Sequence, residues 1–521
     1  MSEAPPSPST GQADADLTHG PAGLSQRQIY FVFAGVMAGL SLSALDSTIV
    51  TTSLATIVGE LGGIKYYAWV GTAYMLTSTT ATPLFGKLSD LYGRRILFQT
   101  AIIAFVGGSL FCGLAQNMWQ LVVSRGVQGI GGGGLFSLSF AIIGDVVPPR
   151  ERGRYVGFIT SIFTASSVLG PLIGGFIVDN TSWRWIFLVN LPVGIVALLI
   201  TDRALRLPFH KYQRKVDYPG AALLILAVTS LLLGLSWTGE SYGWTSVATI
   251  GLFTVAIIGT VSFVRWERRA PEPIIPLDML KIDVVRSVVP MMILIGAVFF
   301  GANTFMPLYL QGVTGVSATN SGLLLVPLAV AVALSATITG RLTAITGKYK
   351  RWLPMGTIFG TGGLILASML GTTHGYLYLA MIASFWIGAG MGAVMPTGTL
   401  AVQNAVPMSE MGTASSIVIF MRQLGGSIGL AAYGTLFSAR LSDEVDPNLI
   451  RVPRQIKNLP PAAREEALRA MTDAINTVFR AAVPVMAISF FIALTVPGLP
   501  LRGATAMSSS NGRGEPPQPI H

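Results

Sequence analysis

Long apolar stretches, interrupted by short polar connections, recur along almost the whole chain. A helix of about 20 apolar residues spans the roughly 30 Å of a membrane's hydrocarbon core. The pattern therefore predicts an all-α polytopic membrane protein with fourteen transmembrane helices. The predicted spans are at about 29–54, 66–85, 96–115, 118–143, 154–178, 185–203, 219–238, 246–264, 287–311, 320–340, 352–371, 375–398, 411–437 and 481–500.

Composition agrees with this class, because 51% of the residues are hydrophobic and only 11% are charged. Soluble domains carry about 25% charged residues. The formal net charge of +10 raises the question of nucleic-acid binding. The basic residues recur between apolar runs and form no patch, so we expect no nucleic-acid partner. The single cysteine, Cys112, excludes a disulfide within the chain.

The distribution of Lys and Arg predicts the orientation of the spans. The two basic residues in short outer loops are Lys65 and Arg184, whereas every predicted inner loop is basic. This bias predicts a multi-pass protein with both termini in the cytoplasm. We expect its location to be the plasma (inner) membrane. The inner-loop residues are Lys87, Arg94, Arg95, Arg150, Arg152, Arg154, Arg203, Arg206, Lys211, Arg214, Lys215, Arg265, Arg268, Arg269, Lys281, Arg286, Arg341, Lys348, Lys350 and Arg351.

Three segments fall outside the predicted spans. Residues 1–25 are rich in Pro, Ser, Gly and Ala and are predicted to be a disordered cytoplasmic tail, as are residues 503–521. Residues 439–480 are predicted to form a long extracellular loop. Pro460-Pro461 is a possible helix start within it. We expect that helix to lie on the membrane surface rather than to form a substrate lid; its apolar face would carry Leu468, Met471, Ile475 and Val478.

An internal repeat divides the chain into related halves. Gly86-Lys87-Leu88 with Gly93 is echoed by Gly340-Arg341-Leu342 with Gly347. Parallel halves related by an axis along the membrane normal recur among transporters, with the substrate site between them. We therefore expect two pseudo-symmetric six-helix bundles and two inserted transmembrane helices, with boundaries at 26–205, 206–270 and 271–502.

Asp46 is the candidate proton-coupling residue, because it is a carboxylate within the first predicted span. It lies about 24 Å along a helix from Tyr30, and Arg125 lies about 10 Å below the outer end of the antiparallel fourth span. The two depths nearly coincide, so Asp46 and Arg125 are predicted to be close. Two simpler interpretations remain: a solvated Asp46 at the interface, or a static buried ion pair.

A charged motif between the second and third spans is a candidate conformational latch. It runs from Gly86 to Arg95, and Gly86 and Gly93 would permit close helix contact and a tight turn. Asp90 is placed to pair with Arg94 or to cap a helix end, and such contacts can hold one conformation and release in another. The simpler interpretation is a solvated charged loop.

The motif from Gly86 to Arg95 closely resembles the signature loop of the major facilitator superfamily. Arg125-Gly126-Val127-Gln128-Gly129 resembles a second motif of that family. The stretch from Gly170 to Gly175, with Pro171 and Gly174 inside it, resembles the motif typical of its proton-driven antiporters. In the second half Ala344 occupies the position of Asp90, so a second latch is expected to be weaker.

Three further stretches resemble the fourteen-helix drug:proton antiporter branch of that family. They are Leu45-Asp46-Ser47-Thr48-Ile49-Val50, Trp183-Arg184-Trp185-Ile186-Phe187 with Asn190-Leu191-Pro192-Val193-Gly194, and Pro307-Leu308-Tyr309-Leu310-Gln311-Gly312. The resemblance covers roughly residues 29–500 and implies multidrug efflux in which Arg125 takes part in proton transfer.

The second half offers aromatic and amide side chains to a substrate cavity but lacks a deep carboxylate. Between Ser287 and Ser438 the only acidic residue is Glu410. Such a cavity suits lipophilic substrates that are neutral or singly cationic. Arg422 near the middle of the thirteenth span is either structural or part of the transport path. The cavity candidates are Tyr74, Gln128, Phe299, Asn303, Phe305, Tyr309, Phe385, Trp386, Gln403 and Arg422.

The sequence thus predicts a transporter and not an enzyme. Gly129-Ile130-Gly131-Gly132-Gly133-Gly134 matches a dinucleotide fingerprint only superficially, since it lies in a predicted span with no strand before it. We expect no cofactor and no metal, with proton motive force driving export, and we expect a monomer among membrane lipid. The alternatives are an exporter of a lipid, envelope component or endogenous metabolite, a channel, and a sensor or receptor.

Overall fold

The computed structural model of the protein describes residues 26–61, 67–147, part of 155–180, 181–205, 217–240, 243–316, 318–373, 375–444 and 460–501. All secondary structure in these residues is helical. The predicted tails at 1–25 and 503–521 lie outside the described residues, and so does the middle of the predicted extracellular loop, 445–459.

The described residues up to 205 form six helices with complete bounds and one partly described segment, 155–180. The six helices are α1 (Gln26–Leu61), α2 (Tyr67–Tyr92), α3 (Arg94–Gly113), α4 (Met118–Val146), α5 (Trp185–Leu188) and α6 (Asn190–Ala204). The described positions between 155 and 180 are helical up to residue 180. Polar side chains fix some of the ends: Asn117 caps α4 by accepting a hydrogen bond from the Gln120 amide at 2.9 Å.

The described residues from 217 onward form nine α-helices and a π-helical turn. They are α7 (Tyr218–Glu240), α8 (Val247–Glu267), α9 (Asp283–Leu308) with the π-turn Tyr309–Val313, α10 (Ala318–Leu324), α11 (Val326–Thr346), α12 (Trp352–Ala367), α13 (Tyr376–Ala405), α14 (Met411–Glu444) and α15 (Pro461–Thr495). Short 3₁₀ turns precede α9 and α14.

Eleven helices within the described ranges are long and apolar enough to cross a membrane. The helix α12 is apolar but has only 16 residues. The helix α2 has 26 residues but is less apolar, because it carries a run of hydroxyl side chains between Thr77 and Thr82. Each of the fourteen predicted spans contains helix among its described residues, in agreement with the predicted positions of the helices along the chain.

The predicted loop between the second and third spans is mostly helix. The helix α2 continues to Tyr92, α3 begins at Arg94, and Gly93 alone joins them with φ 95°. A positive φ of this size is readily adopted only by glycine, so one residue suffices to reverse the chain. The interpretation of this motif as a loop was wrong, although the tight turn at a glycine is present.

The predicted loop at 439–480 is also shorter in the structure. The helix α14 continues to Glu444, and α15 begins at Pro461 and runs unbroken into the membrane-spanning part. The side chains of Met471, Ile475 and Val478 are buried, as the apolar pattern predicts. They pack α15 against α9, α12 and α14, so this stretch extends a span and does not lie on the membrane surface.

Buried apolar side chains separate the chain into two halves. Residues 29–205 contribute two clusters, one of which also takes in Ile419 of α14, and residues 224–496 contribute the third. The helices α2 and α4 of the first half contact α14 of the second. The inserted helix α7 contacts both α2 and α14. We call the end of the bundle that carries Asp90, Asp145 and Met411 the inner end, because it holds the predicted cytoplasmic loops.

Candidate functional site

Asp46 lies at the centre of a buried hydrogen-bond network in the first half. Its Oδ2 is 2.5 Å from Nη1 of Arg125, and the side chains of both residues are at most 2% exposed. Its Oδ1 accepts hydrogen bonds from Gln128 Nε2 at 2.8 Å and from Asn190 Nδ2 at 3.0 Å. The interpretation of Asp46 as a solvated interface residue is therefore wrong.

Arg125 is held from several sides. Its Nη1 also donates to Gln128 Oε1 at 2.6 Å, and its Nε donates to the Val70 carbonyl at 3.4 Å. The guanidinium carbon lies 4.3 Å from the ring centroid of Tyr74, a cation–π distance. The Tyr74 hydroxyl is 2.8 Å from Ser43 Oγ. Tyr74 and Gln128, which the sequence placed in a substrate cavity, thus belong to the surroundings of the ion pair.

Two polar residues around Asp46 were not predicted as site residues. Ser109 on α3 accepts hydrogen bonds from Gln128 at 2.5 Å and from Asn190 at 2.9 Å. Asn190 was quoted only as part of a family motif. Both are polar side chains in apolar runs, a signal that also selected Asp46. The rotation of each helix, which the sequence does not specify, decides that they face the same point.

The antiporter motif in the 155–180 segment packs against α1 beside Asp46. A Cβ at Gly170 would lie 2.6 Å from the Thr48 Cβ, so only glycine permits this approach. Thr48 Oγ1 also donates to the Ser166 carbonyl at 2.8 Å. Gly174 is buried. Pro171 and Gly175 of this motif lie outside the described residues.

The latch motif joins the two halves at the inner end. Asp90 Oδ1 is 2.5 Å from Arg94 Nη1, and its Oδ2 accepts hydrogen bonds from the Thr413 amide at 2.9 Å and from Thr413 Oγ1 at 2.7 Å. Thr413 lies in the first turn of α14, where unpaired amides and the helix dipole favour an anion. Arg94 also pairs with Asp145 of α4 at 2.7 Å.

Glycine allows the helices to approach closely beside this contact. A Cβ at Gly86 would lie 2.5 Å from the Ser416 Cβ of α14. Ser416 Oγ is 2.6 Å from Ser137 Oγ of α4, which is a further hydrogen bond between the halves. Gln403 of α13 adds another by donating to the Phe140 carbonyl at 3.3 Å. These contacts close the inner end.

Two further ion pairs surround the latch. Arg95 pairs with Asp202 of α6 in the same half. Lys87 pairs with Glu272, which precedes α9, at 3.4 Å. The sequence pattern singled out the basic members, but it gave no indication of Asp202 or Glu272 as partners, because both lie more than 100 residues away along the chain.

The aromatic cavity candidates of the second half divide into different environments. Phe305 is 3% exposed, and its ring centroid lies 5.6 Å from that of Phe437. Tyr309 is fully buried and donates to the Gly371 carbonyl at 2.7 Å, so it holds the π-turn in place. Phe299 is half-buried, and its carbonyl accepts a hydrogen bond from Asn303 at 2.9 Å.

Trp386 lies on an exposed side of α13. It is 38% exposed, and its ring centroid lies 5.2 Å from that of Phe359 of α12. Phe385, Ile382 and Tyr378 on the same helix are exposed as well. An exposed apolar stripe at helical spacing is typical of a lipid-facing surface, and the place of Trp386 in a substrate cavity stays a prediction.

Arg422 lies on α14, near the middle of the membrane-spanning part, and is 7% exposed. Its guanidinium carbon is 5.4 Å from the ring centroid of Phe136 on α4. In the described part of the chain it has no hydrogen bond and no ion pair. The neighbouring Gln423 accepts a hydrogen bond from Thr82 at 3.3 Å.

A buried ion pair in one half and a closed contact between two helical halves are features of a membrane transporter. The sequence model of the Major Facilitator Superfamily matches residues 36–430 of this chain. The chain therefore belongs to this family of transporters and is not an enzyme.

Curated relatives include bacterial drug transporters. The chain is 38% identical over 428 residues to the multidrug transporter protein MdtP of Bacillus subtilis, covering 81% of this chain and 79% of that one. It is 33% identical over 476 residues to multidrug resistance protein 3 of the same organism, covering 87% and 92%. Among solved structures, the proton:xylose symporter XylE matches with a TM-score of 0.61 at 13% identity, covering 93% of this chain and 99% of that one. That similarity supports the fold.

Proposed function

We propose that this transporter is a proton-coupled antiporter that exports lipophilic compounds across the plasma membrane by alternating access. The observation that carries the proposal is the carboxylate of Asp46, buried in the membrane-spanning bundle and 2.5 Å from Arg125. An Asp at the centre of a membrane helix costs about 2.5–3.5 kcal/mol on insertion scales. A group of this kind is retained for a function, and reversible protonation is the function that a carboxylate offers.

Protonation of Asp46 would change several contacts at once. The carboxylate accepts charge-assisted hydrogen bonds from Arg125, Gln128 and Asn190, on two other helices. A neutral carboxylic acid accepts such bonds less strongly, so α1, α4 and α6 would lose part of the attraction that holds them together. Gly170 and Thr48 transmit any shift of α1 to the 155–180 segment, because their contact leaves no space.

The contacts at the inner end provide the second element of the cycle. Asp90, Ser416 and Gln403 take part in hydrogen bonds that bring the halves together there. This is the arrangement of a state closed toward the predicted cytoplasm. Opening of that end requires these bonds to break, and proton uptake at Asp46 from the outside would favour the exchange. Each charge that crosses 100 mV supplies about 2.3 kcal/mol.

The proposal includes the fourteen-helix antiporter branch, cytoplasmic termini, a monomeric protein and no cofactor beyond the proton motive force. Eleven candidate spans, the shorter α12, the less apolar α2 and the 155–180 segment together correspond to fourteen. Relatives named as multidrug transporters support lipophilic drugs or toxic compounds as the substrate class. Neutral compounds fit better than cations, because a cation would have to compete with Arg125 for Asp46.

The test is transport by the full chain in proteoliposomes with a pH-sensitive dye inside. We expect a panel of cationic, neutral and anionic lipophilic compounds to include substrates that drive proton flux in the opposite direction. Asp46→Asn should abolish coupled proton flux and leave folding intact. Asp473→Asn is the matched control, since Asp473 pairs only with Arg480, 3.6 Å away and outside the network.

Full, uncoupler-sensitive export by Asp46→Asn would contradict the proposal. Extrusion of lipid without compound-stimulated proton flux would favour the alternative of a lipid or envelope-component exporter. Binding without transport would indicate a sensor.

A further inference from the structure

We propose that Arg422 is a substrate-binding residue that receives an anionic group, so that the transported compounds include amphiphilic monoanions such as lipophilic carboxylates. The inference rests on the proposed export function and names a substrate class for it. Its basis is Arg422, a residue that is 7% exposed in the membrane-spanning bundle, between the two halves, and that has no ion-pair partner among the described residues.

The charges near the middle of the bundle do not cancel. Among the described residues, Asp46, Arg125 and Arg422 are the charged side chains buried near the middle of their helices. Asp46 and Arg125 neutralise each other at 2.5 Å. One positive charge remains, at Arg422. Burial of a charge that lacks both a counterion and hydrogen-bond acceptors is strongly unfavourable, so a transported ligand that supplies both would be bound well.

Close packing fixes the direction in which Arg422 points. A Cβ at Gly296 of α9 would overlap the Arg422 carbonyl, and a Cβ at Gly425 would overlap the Ile293 carbonyl. The backbone of α14 is therefore pressed against α9 on one side. The side chain of Arg422 reaches the other way, across the boundary between the halves, and contacts Phe136 of α4.

The Phe136 contact is a weak substitute for an anion. A guanidinium over an aromatic face is stabilised by the ring quadrupole, but in the described part of the chain the N–H donors of Arg422 have no acceptor. A carboxylate can accept two of them in parallel, which is the geometry that guanidinium recognises best. Movement of the halves would separate Arg422 from Phe136 and expose these donors. The aromatic rings of Phe136 and Phe140, whose centroids are 5.3 Å apart, would border the apolar part of the ligand.

This inference differs from the sequence-based preference for neutral or singly cationic substrates. That preference followed from the lack of a deep acidic residue in the second half. The structure adds that the carboxylate of the first half already has Arg125, Gln128 and Asn190 as donors. A cation therefore finds no free carboxylate in the described centre of the bundle, whereas an anion finds Arg422.

The test compares two probes that differ only in charge. Dansyl-undecanoic acid and its methyl ester are titrated into full-length protein in nanodiscs, at a pH that ionises the acid, and corrected for binding to empty nanodiscs. We expect the wild type to bind the acid about tenfold more tightly than the ester, as charge-assisted pairing at a buried site implies. Equal affinity for the two probes would overturn the proposal without the need for any variant.

Variants then assign the preference to one residue. Arg422→Gln should remove the difference between acid and ester and leave ester affinity within about threefold, while Arg422→Lys should keep part of it. Arg480→Gln, which removes an exposed basic residue at the outer side, should keep the full preference. An unchanged preference in Arg422→Gln would overturn the assignment.

The outcome is separable from that of the proposed function. The binding measurement needs no proton gradient. Coupled export of neutral compounds without a preference for the acid would refute only the role of Arg422. A preference for the acid without proton-coupled transport would refute only antiport.

Discussion

Asp90 and Thr413, 323 residues apart in sequence, form two hydrogen bonds through one carboxylate oxygen. The amide and the hydroxyl of Thr413 both donate to Asp90 Oδ2, and the other oxygen pairs with Arg94. A side chain of one half thus caps the first turn of a helix in the other. The strength of this contact should control how firmly the inner end is closed.

We expect Asp90→Asn to widen the inner end. The amide retains one acceptor oxygen but loses the negative charge that the first turn of α14 and Arg94 stabilise. The loss of charge-assisted bonds should cost the closed state about 1.5–3 kcal/mol, a population shift of tenfold or more. Spin labels at Tyr92 and Met408, exposed residues of opposite halves, would report the distance in a Cys112→Ser background.

Asp473→Asn in the same labelled background provides the control, since Asp473 is on α15 and takes no part in the inner contacts. An unchanged distance distribution in Asp90→Asn would show that Thr413 and Asp90 do not hold the closed state. In that case other bonds between the halves, among them those at Ser137 and Gln403, would have to suffice.

Gly86→Ala should also open the inner end, for a steric reason. The added methyl group would lie 2.5 Å from the Ser416 Cβ, well inside van der Waals contact. Ser416→Gly removes the opposing atoms but also the hydrogen bond to Ser137. The double variant should therefore return part of the way toward the wild-type distance, as coupled residues in contact do. The same spin-label pair measures both. Failure of Ser416→Gly to restore the distance would place the obstruction elsewhere.

Gly93→Ala should lower stability by about 1–3 kcal/mol, the usual cost of a strained backbone conformation. The single residue between α2 and α3 has φ 95°, which alanine adopts poorly. The apparent unfolding temperature of the purified protein measures the effect. Gly107→Ala on α3 is the matched control, because a Cβ there meets no atom within 4 Å and alanine favours the helix. Equal temperatures for the two variants would contradict the argument.

Ionisation of the Tyr349 hydroxyl should lower the stability of the protein at alkaline pH. Its hydroxyl donates to the Pro497 carbonyl at 3.2 Å and accepts from the Leu499 amide at 3.1 Å, which ties the segment after α15 to the connection between α11 and α12. Burial raises the pKa of Tyr349 above its ordinary value. The unfolded chain therefore loses this proton first, at a pH of about 10, and stability falls as pH rises further.

Thermal unfolding of wild type and Tyr349→Phe across this alkaline range tests the prediction. The variant should be less stable near neutral pH by about 1–3 kcal/mol, because the Leu499 amide loses its acceptor, and should show a smaller alkaline decrease. Tyr378→Phe is the control, since Tyr378 is 75% exposed. Parallel curves for wild type and Tyr349→Phe would contradict the role given to this hydroxyl.

The sequence alone was sufficient to bring Asp46 and Arg125 together. The constant rise of a helix places both at similar depths, and depth is the coordinate that a membrane restricts most strongly. Asn190 and Ser109 lie in apolar runs of similar character, yet nothing in the sequence gives their rotation about the helix axis. The structure supplies that rotation, and with it the complete set of donors around Asp46.

The error at the latch motif has a related origin. Charged residues between Lys87 and Tyr92 indicated a loop, although α2 extends through them. Lys87 pairs with Glu272, and Asp90 accepts hydrogen bonds from Thr413. Local polarity predicts exposure poorly where partners lie far away along the chain.

The inserted helix α7 touches α2 in one half and α14 in the other. If the two halves move against each other, as the proposed alternating access requires, α7 cannot follow both of them and would have to slide along one of them in each transport cycle. The pair α7 and α8 would then form a sliding contact with the helical halves. Lipids or small molecules that restrict the movement of α7 at this contact would slow the transport cycle from a site remote from both Asp46 and the bound substrate.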